Sequence, residues 1–181
     1  MVFNLLEGKK VNLRIIEKED LSIVKNWDNG IGIMGEYEPI VQETTADLEK
    51  QFDKLTEGQW FFIEKKDGTK IGFIAHFVAH GTVIGYALLP DERRKGYGSE
   101  AVRIMIDYLF LAKNLVRIQA ETHPENIASQ KVLEKAGFTK EGNIRKSFFS
   151  RGVYRDTAMW SILREEWNEP KILSKGYVKK Q

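Results

Sequence analysis

Between residues 59 and 112 the hydrophobic pattern of the chain changes once, from strand-like alternation to a helical stripe. The change falls on PDERRKGYGSEAV, Pro90–Val102. Upstream, QWFFIEKKDGTKIGFIAHFVAHGTVIGYALL carries two apolar runs around Asp67-Gly68, a dipeptide that favours tight hairpin turns. His80-Gly81 marks a second turn, so strands are predicted over 60–65, 70–78 and 82–89 as an antiparallel meander. Downstream, Val102, Met105, Leu109 and Ala112 share one stripe of a helix over 98–112, and LVRIQAE reads as a strand over 115–121. The strand, helix and strand from 82 to 121 make a βαβ unit, whose two strands are parallel and whose crossover is right-handed.

The remaining segments build around that unit. KKVNLRII alternates as a first strand, and EKEDLSIVKNWDNG places Leu21, Val24 and Trp27 at helical spacing before the Asn29-Gly30 stop. The Gly-rich IGIMGEYEPIVQETT reads as a loop. TADLEKQFDKL reads as an amphipathic helix with Thr45 as N-cap and Leu48, Phe52 and Leu55 on one face. A helix over 127–136 stops at Gly137, and two strands follow as a hairpin about Arg151-Gly152. The expected fold class is mixed α/β (α+β), one domain over 1–181. Its sheet is mostly antiparallel, its core spans about residues 10–167, and 168–181 form a C-terminal tail.

Composition narrows the function. The net charge of +2 gives no global field for nucleic acid or membrane, and no stretch approaches 18 uninterrupted apolar residues. The basic run Lys175 to Lys180 reads as a frayed tail. The first residues lack a secretory pattern, and the absence of cysteine removes disulfides, thiolate metal sites and a cysteine nucleophile. A cytoplasmic protein with no metal is expected.

Three readings compete for the glycine loop. Gly96 to Ala101 matches the dinucleotide pattern G-x-G-x-x-G/A, and Glu121 lies at a fitting distance for a ribose hydroxyl. In that pattern, however, the glycines follow the strand directly, whereas Pro90 to Lys95 intervene here, and the rest of the chain supplies no second wound half. A plain solvated turn is the second reading. A phosphate cradle is the third: small glycines let an anion approach the free amides of the first helical turn, while Arg93, Arg94 and Lys95 add charge at the rim.

Arg93 to Gly98 also fits R/Q-x-x-G-x-G/A, and the chain resembles the GNAT superfamily of acetyl-CoA-dependent N-acetyltransferases. IGYALLPDERRKGYGSEA and HPENIASQKVLEKAGF are similar to two motifs of the branch that includes ribosomal-protein N-terminal (alanine) and spermidine acetyltransferases. LLEGKKVNLRIIEKEDL and EGNIRKSFFSRGVYRD…SILREEW resemble its usual openings and closings, so the likeness runs to about residue 167.

The resemblance implies one parallel strand pair that splays to admit the thioester. It also assigns roles. The loop from Arg93 to Ser99, with Arg94, Lys95, Gly96, Tyr97 and Gly98, would bind the pyrophosphate. The strand Gly85–Leu89 would pair with the pantetheine arm, with an N–H of Leu88 or Leu89 polarising the thioester carbonyl. Asn126 would contact the cofactor besides capping its helix. Ser129 would protonate the departing thiolate, or serve only its helix turn; the tyrosine that spermidine-type relatives carry four residues later is Leu133 here. Many relatives have a glutamate where this chain has Val83, so the base is open among Glu121, His76 and Glu36.

Glu36, Tyr37 and Glu38 fall on the expected acceptor rim, and Tyr86 faces either the acceptor groove or the core. The implied reaction is direct attack by a primary amine in a ternary complex. A protein or peptide N-terminal amine is the leading acceptor, with a polyamine, aminoglycoside or amino-acid analogue as the small-molecule alternative. A non-catalytic acetyl-CoA-binding module is the other alternative, motivated by Val83. The resemblance also allows a homodimer.

Overall fold

The computed structural model describes residues 6–30 and 32–173. In chain order these form β1 (Leu6–Glu7), β2 (Val11–Ile15), α1 (Leu21–Asp28), α2 (Thr45–Asp53), β3 (Gln59–Lys65), β4 (Lys70–Val78) and β5 (Thr82–Leu88). Then follow α3 (Tyr97–Ala112), β6 (Arg117–Thr122), α4 (Ile127–Ala136), β7 (Thr139–Ser150), β8 (Val153–Leu163) and α5 (Arg164–Trp167). The strands make one eight-stranded sheet in the order β1-β2-β3-β4-β5-β6-β8-β7. Only β5 and β6 pair in parallel, across the α3 crossover.

The apolar run Trp60 to Ile63 explains why the sheet is covered on both faces. Successive strand side chains point oppositely, so Phe61 and Ile63 join one core while Phe62 joins the other. On the first face, Phe61, Ile74 and Ile84 pack against Ala101, Met105 and Leu109 of α3. On the second, Leu21, Val24 and Leu48 carry α1 and α2 onto Phe62.

Three expectations are corrected. The cap of α2 is Thr44, not Thr45: its hydroxyl accepts from the Asp47 amide, and the Asp47 carboxylate accepts from the Thr44 amide. Strand β1 was not anticipated; it pairs with β2 through the turn at Gly8. The Glu100 carboxylate takes the main-chain N–H groups of Lys9, Lys10 and Val11 at 2.9, 2.7 and 2.8 Å, fastening that turn to the first turn of α3.

The third correction concerns the tail. Residues 168–173 return to α3, where the buried Asp107 carboxylate accepts from Trp167 Nε1 at 2.8 Å. It also takes the amides of Lys171, Ile172 and Leu173 at 2.9, 2.6 and 3.1 Å. Leu173 is buried, so the packed chain extends past residue 167. The Lys175 to Lys180 run lies outside the described residues. No helix among the described residues is long and apolar enough to cross a membrane.

Candidate active site

Strands β5 and β6 pair only at Thr82↔Ile118, Val83↔Gln119 and Ile84↔Ala120. Beyond Ile84, β5 stays with β4 and β6 stays with β8, leaving a wedge between the parallel neighbours. Which backbone groups face the wedge follows from ladder parity. The Leu89 amide donates to Ile71 O of β4 at 2.9 Å, and main-chain groups alternate sides along a strand. Tyr86 and Leu88 therefore turn their N–H and C=O groups toward the wedge. Of the two oxyanion donors expected from the sequence, Leu89 is already engaged and Leu88 remains.

Past the wedge, Pro90–Glu92 form one 3₁₀ turn, and Arg94 (φ 64°) and Gly96 (φ 85°) both take the left-handed conformation. This reversal starts α3 beside the wedge. Gly96 at the N-cap has no side chain to cap with, and the first helical bond is Glu100 N to Gly96 O at 3.2 Å. The amides of Tyr97, Gly98 and Ser99 thus have no helical acceptor, and the helix dipole adds positive potential there. Gly98 is buried, and a Cβ on it would sit 3.4 Å from Leu88 Cδ1. A backbone cradle of this kind suits a pyrophosphate.

The three cations do not act alike. Lys95 pairs with Glu92 at 3.0 Å, and Arg94 is exposed. Arg93 turns away from the cradle, donating through Nε to Leu88 O and through Nη2 to Gly32 O and Ile33 O, each at 3.0 Å. Its Nε and Nη2 are thus engaged by three main-chain carbonyls, a role the sequence reading did not assign.

Helix α4 brings Asn126 and Ser129 to the same wedge. Asn126 Oδ1 accepts from the Ser129 amide at 3.1 Å, which is its capping role. Ser129 Oγ lies 3.0 Å from Tyr86 Oη, joining the two hydroxyls across the wedge. Burial pushes the Tyr86 phenol up to about 12 against the opposing pull of that bond, so it stays protonated at working pH. Tyr86 takes part in both expected surroundings, packing against the core under α3 and lining the cavity.

A cavity of about 730 Å³ runs from this wedge to the α1–α2 face. Ile16, Val24, Leu48, Trp60, Phe73 and Phe148 wall it with apolar surface, and Asp28, Glu38, Glu43 and Glu121 supply charge. Burial and then the nearby Glu43 push the Asp28 carboxyl up to about 6, and its buried Oδ1 has no partner. Burial and then Glu121 push Glu38 upward as well. Val83 lines the cavity without a titratable group.

The acceptor rim differs from expectation. Glu36 is exposed, and Tyr37 stacks on His123 with ring centroids 4.9 Å apart; neither lines the cavity, whereas Glu38 does. His76 is removed altogether. Strand alternation sends its neighbours Ala75 and Phe77 to the cavity and His76 to the opposite face, fully buried near Phe61 and Tyr108. Both ring nitrogens lack partners, and burial, with Lys113 adding to it, pushes the imidazole down to about 4. Asp28 and Glu43 were missed because each sits at an element boundary, where an acidic residue carries no pattern.

A split parallel pair over an uncapped helix start, opening into an acid-lined cleft, is an arrangement that suits an acyltransferase drawing on a thioester carrier. Residues 10–139 match the acetyltransferase (GNAT) domain. The chain belongs to the GNAT family: it is an N-acetyltransferase that uses acetyl-CoA, and the dinucleotide reading of the glycine loop falls away. It is 27% identical to the spermidine N(1)-acetyltransferase of Escherichia coli K12, over 87% of this chain and 88% of that one. The ribosomal-protein-S5-alanine acetyltransferase structure from Vibrio fischeri aligns with TM-score 0.78 and 26% identity, over 89% of this chain and 97% of that one. The Vibrio cholerae spermidine N-acetyltransferase, solved with CoA and spermine, shares the fold with TM-score 0.79 and 24% identity, over 90% of this chain and 100% of that one. Among the described residues no group of three or more His, Asp or Glu side chains could hold a metal ion.

Proposed function

We propose that the protein acetylates a small amine carrying a second positive charge, by direct attack within a ternary complex. The observation that carries this reading is that Asp28, Glu38, Glu43 and Glu121 line one cleft of largely apolar walls, where Glu121 adds to the upward push on Glu38 and Glu43 to that on Asp28. Burial already disfavours the charged Glu38 and Asp28, the neighbouring carboxylate adds to that cost, and a cation at each station relieves it. A diamine with an apolar spacer matches two such stations. A peptide α-amine, the acceptor the sequence put first, brings one cation and a polar backbone, so the cleft favours the small-molecule alternative. The spermidine acetyltransferase of E. coli supports the same direction.

An alkylamine arrives protonated, its pKa being ~10.4. The Glu38–Glu121 pair takes that proton, directly or through water, which supplies the base that Val83 does not. The freed lone pair attacks the acetyl carbonyl while the Leu88 N–H stabilises the developing oxyanion. As the carbon–sulfur bond breaks, Ser129 Oγ–H protonates the thiolate and regains a proton from the nitrogen of the tetrahedral intermediate, directly or through water, while the Tyr86 hydroxyl holds Ser129 in place.

Free-thiol release with acetyl-CoA tests the reading across spermidine, a monoamine of matched length and a peptide with N-terminal alanine. Spermidine is expected to exceed the monoamine at least about tenfold in kcat/KM. Preference for the peptide would overturn the acceptor, and CoA binding without turnover on spermidine or the monoamine would overturn the small-amine reading.

A further inference from the structure

We infer that Arg93 is a positioning residue for the amine acceptor, holding the loop over residues 32–38 against the end of β5. This rests on acetyl transfer at the wedge and not on which amine is used. The loop matters to the acceptor because its own Met34 and Glu38, with Pro39 and Val41 just after it, line the cleft. It has little regular structure of its own, and Gly32 (φ 65°) and Gly35 (φ 80°) both need the left-handed region. Its placement therefore comes from outside contacts.

Asn29 closes the base, exchanging 2.8 Å bonds with the carbonyl and amide of Glu43. Arg151 Nη2 reaches Gly35 O at 3.2 Å from the β7–β8 turn, and Tyr37 rests on His123 ahead of α4. Of these fasteners, Arg93 alone connects the loop to the cofactor strand. One guanidinium bonds Leu88 O, on the wedge side of β5, together with Gly32 O and the buried Ile33. A planar fork can satisfy three carbonyls at once, whereas a lysine ammonium on its flexible stem cannot copy that geometry. Acceptor wall and thioester strand are thereby set at a fixed spacing, and small errors in that spacing are costly to an attack.

The test measures steady-state kinetics of Arg93→Gln with spermidine and, separately, with an N-terminal-alanine peptide. A wrong choice of acceptor class then does not mimic a failure of the inference. The amine KM is expected to rise about tenfold, while acetyl-CoA KM and calorimetric CoA affinity stay within about twofold. Arg93→Lys should fail to restore the amine KM, and added guanidinium should partly restore Arg93→Ala. Arg94→Gln, by contrast, should weaken acetyl-CoA and spare the amine. A rise in acetyl-CoA KM without change in amine KM would overturn the inference in favour of a pyrophosphate contact. Unchanged kinetics with lowered thermal stability would reduce Arg93 to a fold tie.

Discussion

Tyr86 and Ser129, from separate elements of the chain, meet hydroxyl to hydroxyl at 3.0 Å. Removing the donor in Ser129→Ala should lower kcat about 10- to 100-fold with little change in CoA affinity, read by stopped-flow acetyl transfer. Tyr86→Phe should cost less, since it removes the support and keeps the donor. Buried titratable groups give opposite pH signatures. His76 holds a folded pKa near 4 against 6.5 in the unfolded chain, so the unfolded state binds more protons between those values. Stability is therefore full above about pH 6.5 and falls as pH drops toward 4, by on the order of 2–3 kcal/mol. Denaturant titrations of His76→Leu should flatten that window. Asp28 is raised instead, to about 6, so deprotonating it costs the ligand-free fold as pH rises and a bound cation offsets that cost. The spermidine KM should fall as pH rises through about 6, and Asp28→Asn should abolish the trend. Ser129 was legible as a residue of this site, but Asp28 was not: nothing in WDNG distinguishes a buried carboxylate from an exposed helix end.

At the scale of elements, the wedge exists because β5 outruns its parallel pairing. Gly85 is the first residue past the last pair, and a Cβ built there meets nothing within 4 Å. Its backbone needs no positive φ, so Gly85→Val should fold with a thermal midpoint near the parent, valine being a good strand residue. The added side chain projects on the Val83 and Ala87 side, into the cleft, so kcat/KM for the amine should fall at least about tenfold. The meander, the crossover helix and the final hairpin were legible, because Asp67-Gly68, His80-Gly81 and Arg151-Gly152 punctuate strong local periods. The β1–β2 turn was not: Gly8 and Glu100, which hold it, are far apart in the chain. His76 shows the same limit in reverse, since alternation says that faces differ without saying which face carries the cleft.

Across the whole molecule, the C-terminal segment closes over α3 through one carboxylate. A second cavity, about 350 Å³, lies beside it between α3, α4 and Trp167 and shares no lining residue with the wedge cavity. Asp107→Leu would leave the Trp167 indole and three amides without their acceptor, lowering stability by about 2–4 kcal/mol. Because Asp107 does not line the wedge cavity, kcat/KM at low temperature should stay near the parent, as activity beside equilibrium unfolding would show. The sequence by itself determined the order of elements from β2 to β8, the single parallel crossover, the glycine loop ahead of α3 and the kinship with acetyl-CoA-dependent enzymes. All of these are written in local periods, turn dipeptides and contiguous motifs. Tertiary structure alone decided that Arg93 bonds the carbonyls of Gly32 and Ile33, that Leu88 rather than Leu89 faces the wedge, and that Asp28, Glu38, Glu43 and Glu121 line one cleft. Those outcomes depend on which strand face is covered, where pairing stops and which carboxylates lose water together, and such properties arise only when distant segments pack.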